Sequence, residues 1–83
     1  MSRSEVLQRY GITDRPEIRV NTIQERNSPL WLVGINGPGD PIKAIPSKRA
    51  AELSIELRKA GEEELAAQVS AAAQKALRAN AGA

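Results

Sequence analysis

Apolar positions recur every second residue in the first half of the chain and every third or fourth in the second half, with the change near residue 46. In Glu17-Ile-Arg-Val-Asn-Thr-Ile23, residues Ile18, Val20 and Thr22 share one side, and Arg19 and Asn21 the other, which predicts a half-buried strand. Gln24 to Pro29 is a polar run of turn formers. Leu30-Trp-Leu-Val-Gly-Ile35 is apolar at nearly every position, the pattern of a central strand or one covered on both faces. Pro41-Ile-Lys-Ala-Ile45 alternates again, and a proline suits the first position of an edge strand. These three segments predict an antiparallel meander over residues 17–45.

Beyond residue 46 the spacing is helical. Ala50, Leu53, Leu57 and Ala60 fall within one arc, while Glu52, Glu56 and Lys59 lie opposite. Ser47 is the candidate N-cap, and Gly61 follows the basic pair Arg58-Lys59 as a helix stop. Ile55 stands off the stripe, so it is either exposed or meets a second surface. Glu62-Glu63-Glu64 opens a second helix at the end where the dipole favours carboxylates, and Lys75 and Arg78 lie near its other end. Its stripe is Leu65, Val69, Ala72 and Ala76. Thirteen residues are alanine and nine of them follow residue 65, which favours close helix–helix contact over a bulky core.

Upstream of the strands, residues 1–16 form an N-terminal segment with a short helix from Ser4 to Gly11. Ser4 is its expected N-cap, Gly11 its stop, and Val6, Leu7 and Tyr10 its common face. The expected architecture is α+β: a short N-terminal helix, a three-stranded antiparallel meander and a C-terminal helical hairpin. It forms a single small domain over 1–83, with two helices in 47–79 and a frayed tail at 80–83.

The stretch Gly34-Ile-Asn-Gly-Pro-Gly-Asp-Pro41 has the glycines of a phosphate-wrapping loop but not its chemistry. Such loops converge backbone N–H groups on an anion. Pro38 and Pro41 each remove an N–H, Asp40 adds a negative charge, and Lys43 is not followed by a hydroxyl residue. Gly37-Pro38-Gly39-Asp40 reads instead as a type II turn, with Pro38 supplying the fixed φ and Gly39 the positive φ. The expectation is a wide, mobile connection between the second and third strands.

Composition narrows the function. At 83 residues, with Trp31 and Tyr10 the only aromatic residues and no Phe, the chain has little bulk for a core. Without cysteine it has no disulfides, and without histidine or cysteine it lacks the nitrogen and sulfur ligands of transition metals. No metal, cofactor or catalytic residue is expected. Histidine, the usual acid–base group near neutral pH, is missing, and the N-cap role accounts for Ser47 beside Lys48 more simply than a nucleophile–base pair. No apolar run approaches the roughly 20 residues of a membrane span, and the N-terminus lacks the apolar stretch of a secretory signal, so a cytoplasmic location is expected.

Two binding readings follow. The lead one is a non-enzymatic interaction module, homodimeric or bound to another protein, because the second strand is apolar on both faces and one small domain has few elements to cover it. Trp31, Val33, Ile35 and Ile55 are its candidate interface residues. The alternative is nucleic-acid binding through a basic sheet face. The net charge is only +2, but residues 1–49 hold eight basic and five acidic residues, whereas residues 50–83 hold four and five. Arg19, Asn21, Arg26 and Lys43 are expected on one exposed face, with Lys48 and Arg49 nearby. A helix-turn-helix role for the C-terminal pair is disfavoured, since Glu62, Glu63 and Glu64 would meet the phosphates.

Overall fold

The computed structural model describes residues 1–82 and bears out the α+β architecture in chain order. Helix α1 (Arg3–Arg9) is followed by strands β1 (Arg19–Gln24), β2 (Trp31–Asn36) and β3 (Lys43–Ile45), then by α2 (Ser47–Lys59) and α3 (Glu63–Ala81). The strands form one antiparallel sheet in the order β1-β2-β3.

The helix stops lie where the glycines predict them. Gly11 (φ +75°) and Gly61 (φ +85°) are left-handed. Each is followed by an N–H that reaches back into the helix, from Ile12 to Leu7 O at 3.0 Å and from Glu62 to Leu57 O at 2.9 Å. These bonds satisfy carbonyls that the helix end would otherwise leave open. The β2–β3 turn also forms as expected: Gly39 has φ +88°, and Asp40 N–H donates to Gly37 O at 3.0 Å.

The N-caps differ. Helix α1 is capped by Ser2, not Ser4, because Glu5 is the carboxylate that can complete a reciprocal capping box with it. Ser47 lies inside α2, with Pro46 at the cap position and no side-chain capping bond. Asn80 and Ala81 were expected to fray but are the last turn of α3, and Ala83 lies outside the described residues.

All three helices lie on one side of the sheet. Thr22 Oγ1 donates to Ala72 O at 3.1 Å, which turns Val20 and Thr22 toward α3. Their cross-strand partners Ile35 and Val33 are buried on the same side. Helices α2 and α3 pack tightly on each other, with Ala50, Ala66, Ala73 and Ala76 buried. Alanine lets the helix axes approach closely, and the bulk of the core comes from Leu7, Leu53, Leu57, Val69, Val33 and Ile35. The predicted stripes of α2 and α3 are buried except for Ala60, which is half-buried at the C-cap just past α2, and Ile55 is exposed.

Candidate interaction surface

The opposite side of the sheet carries no helix. By strand alternation it displays Arg19, Asn21 and Ile23 from β1, Leu32, Gly34 and Asn36 from β2, and Ile42 and Ala44 from the third segment. Glu25 N–H donates to Leu30 O at 2.8 Å, so the ladder continues one pair beyond the strands, and alternation adds Glu25 and Leu30 to this face. Gly34 is the centre. A methyl group there would lie 2.9 Å from Ile42 Cγ2 and 3.0 Å from Ile23 Cδ1, so those two side chains close over the glycine. Ile42 remains 57% exposed and Leu30 43% exposed, whereas Ile23 and Leu32 are half-buried. The result is an apolar patch bordered by Arg19, Asn21 and Asn36 at one end and Glu25 at the other.

Only part of the expected interface set lies on an accessible surface. Val33 and Ile35 are 0% and 1% exposed, because the β2 register turns both under the helices; they belong to the core. Trp31 points to the same side and is half-buried against that core. Ile55 lies on the outer surface of α2, where it is 52% exposed. The apolar surface of the sheet is therefore supplied by Ile23, Leu30, Leu32 and Ile42, which period-two alternation across β2 identifies once the buried side is known.

The expected basic set divides. Arg19 and Asn21 are on the open sheet face, and Arg26 is in the β1–β2 turn. Lys43 pairs with Ile35, which places it on the helix side of the sheet, so it does not share a face with Arg19. Lys48 and Arg49 are in the first turn of α2, and the Arg49 guanidinium sits 4.2 Å from the centroid of the Tyr10 ring.

Several charged side chains pin the loops instead of facing solvent freely. Arg15 holds both carboxylate oxygens of Asp40, at 2.8 and 3.0 Å, and this bidentate contact keeps Asp40 below the usual carboxylate range. Asn36 Nδ2 donates to Gly37 O and Asp40 O, fixing the same turn from inside. Arg3 bridges Asp14 and Glu62 at 3.0 and 3.1 Å, tying the N-terminal segment to the start of α3. Glu56 accepts from Tyr10 Oη and from Arg9 Nη1, and both contacts lower its pKa. Burial, then the bond to Glu56, pushes the Tyr10 hydroxyl up to about 12. Apart from the Asn36 contacts, these partners lie 11 to 59 residues apart in the chain, so no local pattern announces them.

Among the described residues no three His, Cys, Asp or Glu side chains come together as a metal site, and no helix is long and apolar enough to cross a membrane. Comparison with known protein families, curated proteins and solved structures found no match to this chain.

Proposed function

We propose that the protein is a small cytoplasmic, non-enzymatic interaction module that self-associates through the open face of its sheet. The observation that carries this reading is the one-sided architecture: every helix packs on one side, leaving Ile23, Leu30, Leu32 and Ile42 around Gly34 on the other. A sheet with apolar residues on both faces is ordinarily covered on both. Charge favours a second copy as the cover. Arg19 and Glu25 lie at opposite ends of the same face of β1. A two-fold axis lying in the interface and perpendicular to the strands sets each Arg19 against Glu25 of the other copy, while the apolar centres meet.

Nucleic-acid binding is the less favoured reading of this face. Arg19 and Asn21 border an apolar centre that offers nothing to a phosphate backbone, Arg26 is in the β1–β2 turn, and Lys43 and Arg49 lie on the other side. Sedimentation equilibrium over micromolar concentrations tests the proposal. The expected result is a monomer–dimer equilibrium that Ile42→Glu shifts to monomer with unchanged circular dichroism. A monomer across that range for the unaltered chain rules it out.

A further inference from the structure

A second feature lies on the helix side, away from the sheet face. Where the end of α1, β3 and the start of α2 meet, a cleft of about 520 Å³ is lined by three cations, Arg9, Lys43 and Arg49, and by no aspartate or glutamate. Volumes of roughly 300–1,000 Å³ are usual for small-molecule sites.

Each cation is placed by a separate feature of the fold. The pairing of Lys43 with Ile35 sends its side chain to the helix side of the sheet. There its Nζ and Cε lie 3.3 Å from where a Cβ on Gly11 would be, so the glycine that ends α1 also leaves room for the ammonium. Arg49 is stacked on the Tyr10 ring, and Arg9 is braced by Glu56 at 2.8 Å. Glu56 already accepts from Tyr10 Oη as well as Arg9. Glu52 is 3.7 Å from Arg49 on exposed surface, a contact that solvent screens. Lys43 has no ion-pair partner among the described residues.

We infer that this cleft binds a phosphate group, with Lys43 and Arg49 as its principal contacts and Arg9 at its edge. Two or three cations lining one cleft suit the charge of a phosphate monoester, and a guanidinium held over an aromatic ring is partly pre-organised to donate to it. The cleft is larger than a phosphate alone requires, so the phosphate would be carried on a larger group. The inference does not depend on dimerisation, since the cleft and the open sheet face lie on opposite sides of the sheet.

Amide-shift titrations with inorganic phosphate and with a nucleoside monophosphate, against chloride at matched ionic strength, provide the test. The expected result is saturable shifts at Gly11, Lys43 and Arg49, with at least roughly tenfold weaker binding in Lys43→Gln and in Arg49→Gln and unchanged binding in Arg26→Gln. Lys43 is exposed, so its replacement leaves the fold intact. Shifts that fail to saturate, that persist equally in Lys43→Gln, or that extend equally to Arg19 and Arg26 would overturn the inference, because they report only a diffuse counter-ion atmosphere. A parallel titration with a short oligonucleotide separates the sources of phosphate. Binding much tighter than to the monophosphate, with a steep salt dependence, identifies a nucleic-acid backbone; equal or weaker binding identifies a small phosphorylated molecule.

Discussion

The side-chain amide of Asn80 pairs with both main-chain polar groups of Trp31: its Oδ1 accepts from Trp31 N–H at 2.7 Å, and its Nδ2 donates to Trp31 O at 3.1 Å. The neighbouring Leu30 carbonyl is used by β1, so alternation turns the Trp31 groups toward the β3 edge. Strand β3 covers only Val33 to Ile35 there, because the chain turns into α2 at Ser47. One amide thus stands in for the missing strand residue and ties the last turn of α3 to the sheet.

Replacing Asn80 with alanine should leave a part-buried N–H and C=O without their partners. The expected cost is about 1–3 kcal/mol, read by chemical denaturation. Trp31 fluorescence should shift toward that of a more hydrated indole in the native baseline. Asn80→Asp restores only the acceptor and sets a carboxylate beside the Trp31 carbonyl, so it should recover little of the loss.

Gly37→Ala should be more damaging than Gly34→Ala. A methyl group at position 37 would overlap Arg15 Cγ and lie 2.9 Å from Arg15 Cβ, too close to the backbone of Arg15 for a rotamer change to relieve. The Arg15–Asp40 pair and the turn it holds must shift, at about 1–3 kcal/mol. At position 34 the neighbours are side-chain atoms of Ile23 and Ile42, and Ile42 can swing into solvent. Thermal denaturation should rank the two variants in that order.

Stability should fall at both extremes of pH, for different reasons. Asp40 and Glu56 have pKa values lowered in the folded state, so each contributes stability above the ordinary carboxylate value that is lost as pH falls through its folded pKa. Tyr10 is raised from 10.0 to about 12, so its contribution is complete below pH 10.0 and is lost as pH rises toward about 12. Melting temperatures across pH should show both slopes, and Tyr10→Phe should flatten the alkaline one while also reducing the Glu56 share of the acid one, because the Tyr10 hydroxyl is the main group that lowers Glu56; the Asp40 share should remain.

The proposed two-fold arrangement makes a charge-reversal prediction. Arg19→Glu and Glu25→Arg should each weaken the dimer, because each sets like charges against one another at both ends of the interface. The double variant should regain most of the lost affinity, measured by sedimentation equilibrium. If both single variants dimerise like the unaltered chain, Arg19 does not face Glu25 across the axis. Arg19 also makes a long, exposed contact with Glu17 at 3.8 Å, which is too solvated to mask the effect.

Elements whose cause is local were legible from the residues. The alternation in β1, the three- and four-residue stripes of α2 and α3, the stops at Gly11 and Gly61, and the Pro38-Gly39 turn all depend on a few adjacent side chains. The helix starts were less legible, because Ser2, Ser4 and Ser47 are all chemically competent caps. Only Ser2 has both its own hydroxyl and the Glu5 carboxylate in register.

What residue order alone determined is the inventory: three helices, three strands, and a core poor in bulk that makes close alanine contact its best packing. Tertiary structure alone decided sidedness. An apolar run such as Trp31 to Ile35 is compatible with either face being buried, and the choice was made when Thr22, Val33 and Ile35 met α2 and α3. That choice removed Val33 and Ile35 from the surface, left Ile23 and Ile42 closing over Gly34, and carried Lys43 away from Arg19 into the cleft with Arg49. The physical reason is that a strand's pattern specifies which residues share a face, whereas the helices that cover that face are set by contacts some 40–50 residues away, as Thr22 with Ala72 and Trp31 with Asn80 show.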